Sequence, residues 1–165
     1  MRCWSAVAVL AAALLGATPM AAQEGLAVGA KAPAVVIADL DGKPVDLAQY
    51  IGRKAYMLEF WATWCSVCEE LLPKVKAAHA AYGDKVIFLG VNVTVNQTPE
   101  RVRRWIASNN PPYRTLYDDK GVSTRAYEAP VTSYIVIIDS AGKVAYTGTG
   151  ADQDLSGALA RVTTP

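Results

Sequence analysis

Apolar positions along this chain change their period several times, and each change predicts an element. A nearly unbroken alanine-rich apolar run from Ala6 to Ala17 comes first. Beyond residue 33, short strand-length apolar runs alternate with stripes at helical spacing. Ala34 to Leu40 is rich in β-formers, Asp41-Gly42-Lys43 is a turn signal, and Pro44 to Leu47 reads as the return strand of a hairpin. Ala55 to Trp61 (AYMLEFW) is a buried strand interrupted by one acid, Glu59. Leu71, Leu72, Val75, Ala78, Ala81 and Tyr82 form an apolar stripe that predicts a helix from Cys65 to Tyr82, ending at Gly83 and interrupted and kinked by Pro73. Val86 to Val93 is the next buried strand. Thr98-Pro99-Glu100 has the order of an N-cap, a first-turn proline and a first-turn acid, so a helix runs from there to Ser108. A strand over Tyr113–Tyr117, a short helix over Lys120–Ala126, a strand over Thr132–Ile138, a turn at Asp139–Gly142, a strand over Lys143–Thr147 and a helix over Asp152–Val162 complete the pattern. Alternating β and α, then a hairpin and a helix, predict a three-layer α/β sandwich around a mixed sheet.

The first apolar run changes the picture of where the protein works. Arg2 precedes it and small residues lead to Met20-Ala21-Ala22, the layout of a secretory signal peptide cleaved after Ala22. The alternative is an uncleaved anchor, since Cys3 to Ala22 carries no charge. Either way, the single Arg2 directs the rest of the chain outward, to the periplasm or an equivalent extracytoplasmic space. Residues 23–32 read as a lead-in and 33–165 as one domain, in keeping with a length of 165 residues.

Composition excludes more than it specifies. With 52% apolar and 19% charged residues the chain can build a core and is not disordered. Sixteen basic against 15 acidic residues leave no basic excess for nucleic acid. Without residues 1–22 the chain keeps two cysteines, Cys65 and Cys68, too close together to staple a small fold. Their value must be chemical.

That chemistry is readable at Phe60-Trp61-Ala62-Thr63-Trp64-Cys65-Ser66-Val67-Cys68, where a buried strand ends and a helix begins. A helix N-terminus favours thiolate over thiol at Cys65, the expected nucleophile. Cys68, one turn in, is the shielded resolving thiol. Together they form a dithiol–disulfide exchange unit. Glu59, an isolated acid in an apolar strand, is expected to have a raised pKa and to relay a proton to or from Cys68. Trp64 beside the thiol is the candidate contact surface. A metal centre finds no second CxxC, and the single histidine, His79, lies on the amphipathic helix; no metal and no cofactor are expected.

FWATWCSVC followed by Pro73 resembles the thioredoxin superfamily. The preceding DLDGKPVDL hairpin and the insertion around residues 96–126 are similar to its exported TlpA/ResA-type branch, catalogued with the AhpC/TSA redoxins. The resemblance implies a three-layer α/β/α thioredoxin-like fold, with an N-terminal β-hairpin extension and a central insertion. It maps the superfamily's cis-proline to Pro130, with the Ala129 backbone free to pair with an extended substrate segment and with Trp64, Ser66 and Val67 at the contact surface. It implies protein disulfides as substrates. A membrane-embedded electron donor is expected because cytosolic reductant cannot reach an exported protein, and the chain is expected to act as a monomer.

The chain departs from the family at several positions. Val67 stands where proline is common, Glu69 and Glu70 where many relatives carry Lys or Arg, and Leu71 where many carry an acid. Glu59 stands where TlpA/ResA-like chains often have Asn, and matches the buried acid of cytosolic thioredoxins. Negative charge beside the thiols disfavours thiolate, so a reductase is expected rather than an oxidant. Two alternatives from other classes remain: a peroxiredoxin-like thiol peroxidase, or a non-enzymatic copper-binding or protein-binding thioredoxin-like module.

Overall fold

The computed structural model describes residues 25–164; the expected signal peptide lies outside the described residues. Seven strands form one mixed sheet: β1 (Val36–Asp39), β2 (Pro44–Asp46), β3 (Tyr56–Trp61), β4 (Ile87–Val93), β5 (Arg114–Asp118), β6 (Tyr134–Ile138) and β7 (Val144–Gly148). Their order across the sheet is β2-β1-β5-β4-β3-β6-β7. β3, β4 and β5 run parallel, while β6 lies antiparallel to β3. The predicted N-terminal hairpin is β1–β2, with Ile37 opposite Val45, and it extends the sheet beyond β5.

Among the described residues α1 (Ser66–Tyr82), α2 (Pro99–Asn109) and α3 (Val122–Ala126) connect strands, and α4 (Leu155–Thr163) follows the last one. Side-chain alternation along β3 divides the layers. Met57, with Ile135 and Ile137 of β6, packs under Leu71, Val75 and Ala78 of α1 and Leu155 and Leu159 of α4. Tyr56, Leu58 and Phe60 face the other way, toward Leu26, Leu47 and Tyr127. That second outer layer is thin, made by α3, a single 3-10 turn at Leu47–Gln49 and the segment entering β1.

Most predicted boundaries hold to within two residues; α4 starts three residues later than predicted, at Leu155, because the Asp154 side chain caps it, and the smaller differences also have local causes. Leu47 leaves β2 because the Asp46 carboxylate caps the 3-10 turn through the Ala48 N–H at 2.9 Å. α1 runs through Pro73 without the expected interruption. One missing N–H is outweighed by the buried stripe on both sides of it, Leu71, Leu72, Val75 and Ala78. β6 starts at Tyr134 rather than Thr132, because Ser133 turns the chain through a positive φ of 68°. Thr98 caps α2 through the Arg101 N–H with Pro99 in the first turn, as its sequence predicts.

Candidate active site

β3 ends at Trp61, and the four residues that follow deliver Cys65 to the start of α1. Cys65 is the N-cap: its sulfur accepts from the Cys68 N–H at 3.1 Å, and its carbonyl takes the first helical bonds. A sulfur at this place receives the partial positive charge of the helix end. Cys65 and Cys68 are joined in a disulfide, with Cα atoms 5.3 Å apart. In this oxidised form both sulfurs are sheltered, Cys65 at 5% exposure and Cys68 at 2%. They pack with Trp61, Ala62 and Val102, against Trp105 and Tyr113.

The inner side of the pair is unusually polar for a core. Glu59 is 1% exposed and lies on the sheet face that α1 covers. Burial raises its pKa from the usual carboxylate range to about 8, and a hydrogen bond from the Tyr113 hydroxyl pulls only partly the other way. In this oxidised form most of the Glu59 population therefore carries a proton at neutral pH. The Tyr113 hydroxyl is pushed well above its ordinary value, by burial first and then by the Glu59 charge. Trp61 is fully buried and stacks at 4.4 Å between ring centres on Trp105.

The outer side is exposed and largely apolar. Trp64 is 46% exposed, and its indole N–H donates to the Val95 carbonyl at 2.7 Å. Val67, Val95 and Val131 also show their side chains to solvent. Topology gathers them: Val95 follows β4 and Val131 precedes β6, at the end of the sheet where β3 releases Cys65. Ser66 is exposed within the motif. A cleft of about 420 Å³ opens beside the motif, lined by Thr63, Arg101, Arg104, Trp105, Ser108 and Asn109. In it the Arg101 Nε–H donates to Thr63 Oγ1 at 3.0 Å.

The expectations for the segment before β6 need correction. No peptide bond among the described residues is cis, so Ala129–Pro130 is trans. The chain reverses here through left-handed backbone at Glu128 (φ 49°) and Ser133 (φ 68°), so the turn needs no cis bond, and trans is the lower-energy X–Pro form. The Ala129 N–H is not free either: it donates to the Thr124 carbonyl at 2.9 Å. Pro130 is exposed, and the Ser133 N–H bonds to the Phe60 carbonyl at 2.7 Å, which keeps this loop beside the end of β3. His79 lies well along α1 and packs edge-on against Phe88. Among the described residues no group of three His, Cys, Asp or Glu is placed to hold a metal.

The Redoxin family profile matches residues 27–162. The chain belongs to the Redoxin family. Among its relatives is a thiol-disulfide oxidoreductase ResA of Geobacillus thermodenitrificans, 30% identical over 133 residues, covering 79% of this chain and 75% of that protein. Two solved structures share the fold. One is a putative thiol:disulfide interchange protein DsbE from Chlorobium tepidum, with TM-score 0.72 and 26% identity, covering 84% of this chain and 99% of that one. The other is a secreted Mycobacterium tuberculosis disulfide oxidoreductase homologous to E. coli DsbE, with TM-score 0.67 and 26% identity, covering 77% and 95%. This redoxin is a ResA/DsbE-like thiol–disulfide oxidoreductase, with Cys65 and Cys68 as its redox-active pair.

Three residues of the redoxin's site escape a reading of the sequence. Gly90, alone within the apolar run IFLGVNV, carries a signal: a glycine inside a strand marks a close approach. Tyr113 is the group that approaches. Arg101 gives no signal, because its partner Thr63 lies 38 residues earlier.

Proposed function

We propose that this redoxin reduces disulfides in other proteins outside the cytoplasmic membrane. The observation that carries the reading is a disulfide set across the N-cap and first turn of α1, with a buried acid on the sheet face beneath that helix. In the reduced form the Cys65 thiolate attacks one sulfur of a substrate disulfide. The substrate S–S bond breaks, Cys65 is joined to one sulfur, and the other leaves as a thiolate and takes a proton. Cys68 then passes its proton to Glu59, attacks the Cys65 sulfur and expels the second substrate thiolate. Two electrons reach the substrate, its two thiolates take their protons from solvent, and the Cys68 proton stays on Glu59. When a donor reopens the disulfide, the protonated Glu59 returns a proton to Cys68.

The exposed Trp64 and Val67 suit a polypeptide substrate, because an aromatic and an aliphatic side chain beside the sulfur offer area to a partner chain. Ser66, Pro130 and the carbonyl of Ala129 complete that rim. The export pattern of residues 1–22 and the secreted relative support an extracytoplasmic location, where a membrane-embedded dithiol donor must supply electrons. Trapping tests the reading. With Cys68→Ser, extracytoplasmic proteins should accumulate as mixed disulfides on Cys65, and with Cys65→Ser they should not. Trapping through Cys68 alone would reverse the two roles.

One observation favours a second reading as a thiol peroxidase: Arg101 and Thr63 set a guanidinium and a hydroxyl two residues before Cys65. The Cys65 thiolate would attack a hydroperoxide oxygen, release an alcohol and become a sulfenic acid. Cys68 would then displace water and close the same disulfide. Stopped-flow oxidation by peroxide separates the two readings. The reductase account expects it to be slower than oxidation by a protein disulfide.

A further inference from the structure

Glu59, Gly90 and Thr115 occupy one row across β3, β4 and β5, and Trp61 and Asn92 share the next row on the same sheet face. Glu59 Oε2, Trp61 Nε1, Asn92 Oδ1 and Thr115 Oγ1 are all buried there without a hydrogen-bond partner. An unpartnered buried polar atom costs roughly 1–3 kcal/mol, so folding alone does not favour such a strip. Tyr113 lies across it. A Cβ placed on Gly90 would stand 2.3 Å from Tyr113 Cε2 and 2.9 Å from Trp61 Nε1, so only glycine admits the phenol ring over β4. Tyr113 reaches solvent along part of its length, but its hydroxyl is enclosed against Glu59. The Tyr113 hydroxyl acts on the Glu59 carboxyl, and Oε2 of that carboxyl has no hydrogen-bond partner, which leaves Oε1 as the oxygen open to the phenol.

We propose that Tyr113, seated over Gly90, is a positioning residue that pins Glu59 by Oε1 and leaves Oε2 as the oxygen that exchanges a proton with Cys68. The proposal rests on the reading of Glu59 as the proton relay. Its balance is simple: Oε2 takes the Cys68 proton as that sulfur attacks Cys65, and returns it when the disulfide is opened. The Tyr113 proton stays on the phenol throughout. Around Glu59, β4 contributes Gly90, β6 contributes Ile135, and α1 covers the face with Leu71 and Val75 beside Cys68. Among the described residues Tyr113 is the one titratable side chain acting on the carboxyl in the oxidised form, so removing its hydroxyl changes one interaction.

The test uses the whole protein with Tyr113→Phe and Glu59→Gln. The Glu59 carboxyl is titrated by carbon NMR, and the reduced protein's rate of reducing a small aromatic disulfide is followed against pH. Phenylalanine fills the same space, and unchanged near-ultraviolet circular dichroism checks the packing. Losing a donor to the carboxylate disfavours the charged form, so Tyr113→Phe should move the Glu59 midpoint upward by roughly one pH unit. The inflection in the rate profile should move with it and vanish in Glu59→Gln. A midpoint and inflection unmoved by Tyr113→Phe, with the inflection lost in Glu59→Gln, would overturn the positioning role and leave the relay. An inflection that survives Glu59→Gln would overturn the relay, and the proposal with it.

Discussion

The two sides of the Cys65–Cys68 disulfide are built from opposite materials. On the inner side Glu59, Trp61 and the Tyr113 hydroxyl are enclosed, and among the described residues no cation acts on the carboxyl. On the outer side Trp64, Val67 and Val131 are exposed, and a nearby cation, Arg101, is in solvent. A charge matters far more in the first setting than in the second, because water screens the outer one. The inner side therefore governs proton and electron chemistry, and the outer side governs which partner can reach the sulfur. One strand and one helix serve both, because side chains alternate along β3 and the chain then turns outward between Ala62 and Cys65.

The largest expected effect lies inside. Glu59→Gln should slow disulfide exchange at neutral pH about a hundredfold, the usual worth of a positioned acid–base group. The same group shapes stability. Its folded pKa is raised, so the folded protein binds more protons than the unfolded chain between about 4.5 and about 8. Stability therefore falls as pH rises through that window, with a ceiling of about 5 kcal/mol. Chemical denaturation at pH 5 and pH 9 should show the decline in the wild type and a much flatter curve in Glu59→Gln.

An intermediate effect belongs to the outer side. Trp64→Ala should raise KM for a protein disulfide about tenfold while leaving reduction of a small aromatic disulfide within about twofold. Equal losses on both substrates would place Trp64 in the chemistry instead. The smallest effect falls to Arg101. Because its charge is exposed, Arg101→Ala should raise the Cys65 thiol pKa by only a few tenths of a unit, read from alkylation rate against pH. A shift above one unit would show that the outer cation outweighs the buried side.

The same division explains what could be read in the sequence. The β3–α1 junction was legible because its signals are local: an apolar run, then two cysteines at helical spacing, then the stripe Leu71, Leu72, Val75 and Ala78. Thr98 and Pro99 marked the start of α2 for the same reason. Glu59 was legible as a lone acid in an apolar strand, and it is 1% exposed. The Ala129–Pro130 bond was not legible, because a proline permits cis without requiring it; left-handed Glu128 and Ser133 make the turn instead. Tyr113 over Gly90 and Arg101 on Thr63 are contacts between segments distant in sequence, which no local period encodes.

The most direct test of the account is equilibration of the wild-type Cys65–Cys68 pair with glutathione redox buffers. A strong oxidant stabilises its thiolate with nearby positive charge, whereas here burial opposes the thiolate, and the arginines of the neighbouring cleft, Arg101 and Arg104, are exposed and screened by water. The account expects a potential more negative than about −180 mV, on the side of a reductase. A potential near −120 mV would contradict it, and would mean that the helix N-terminus and Arg101 prevail over the buried side of the site.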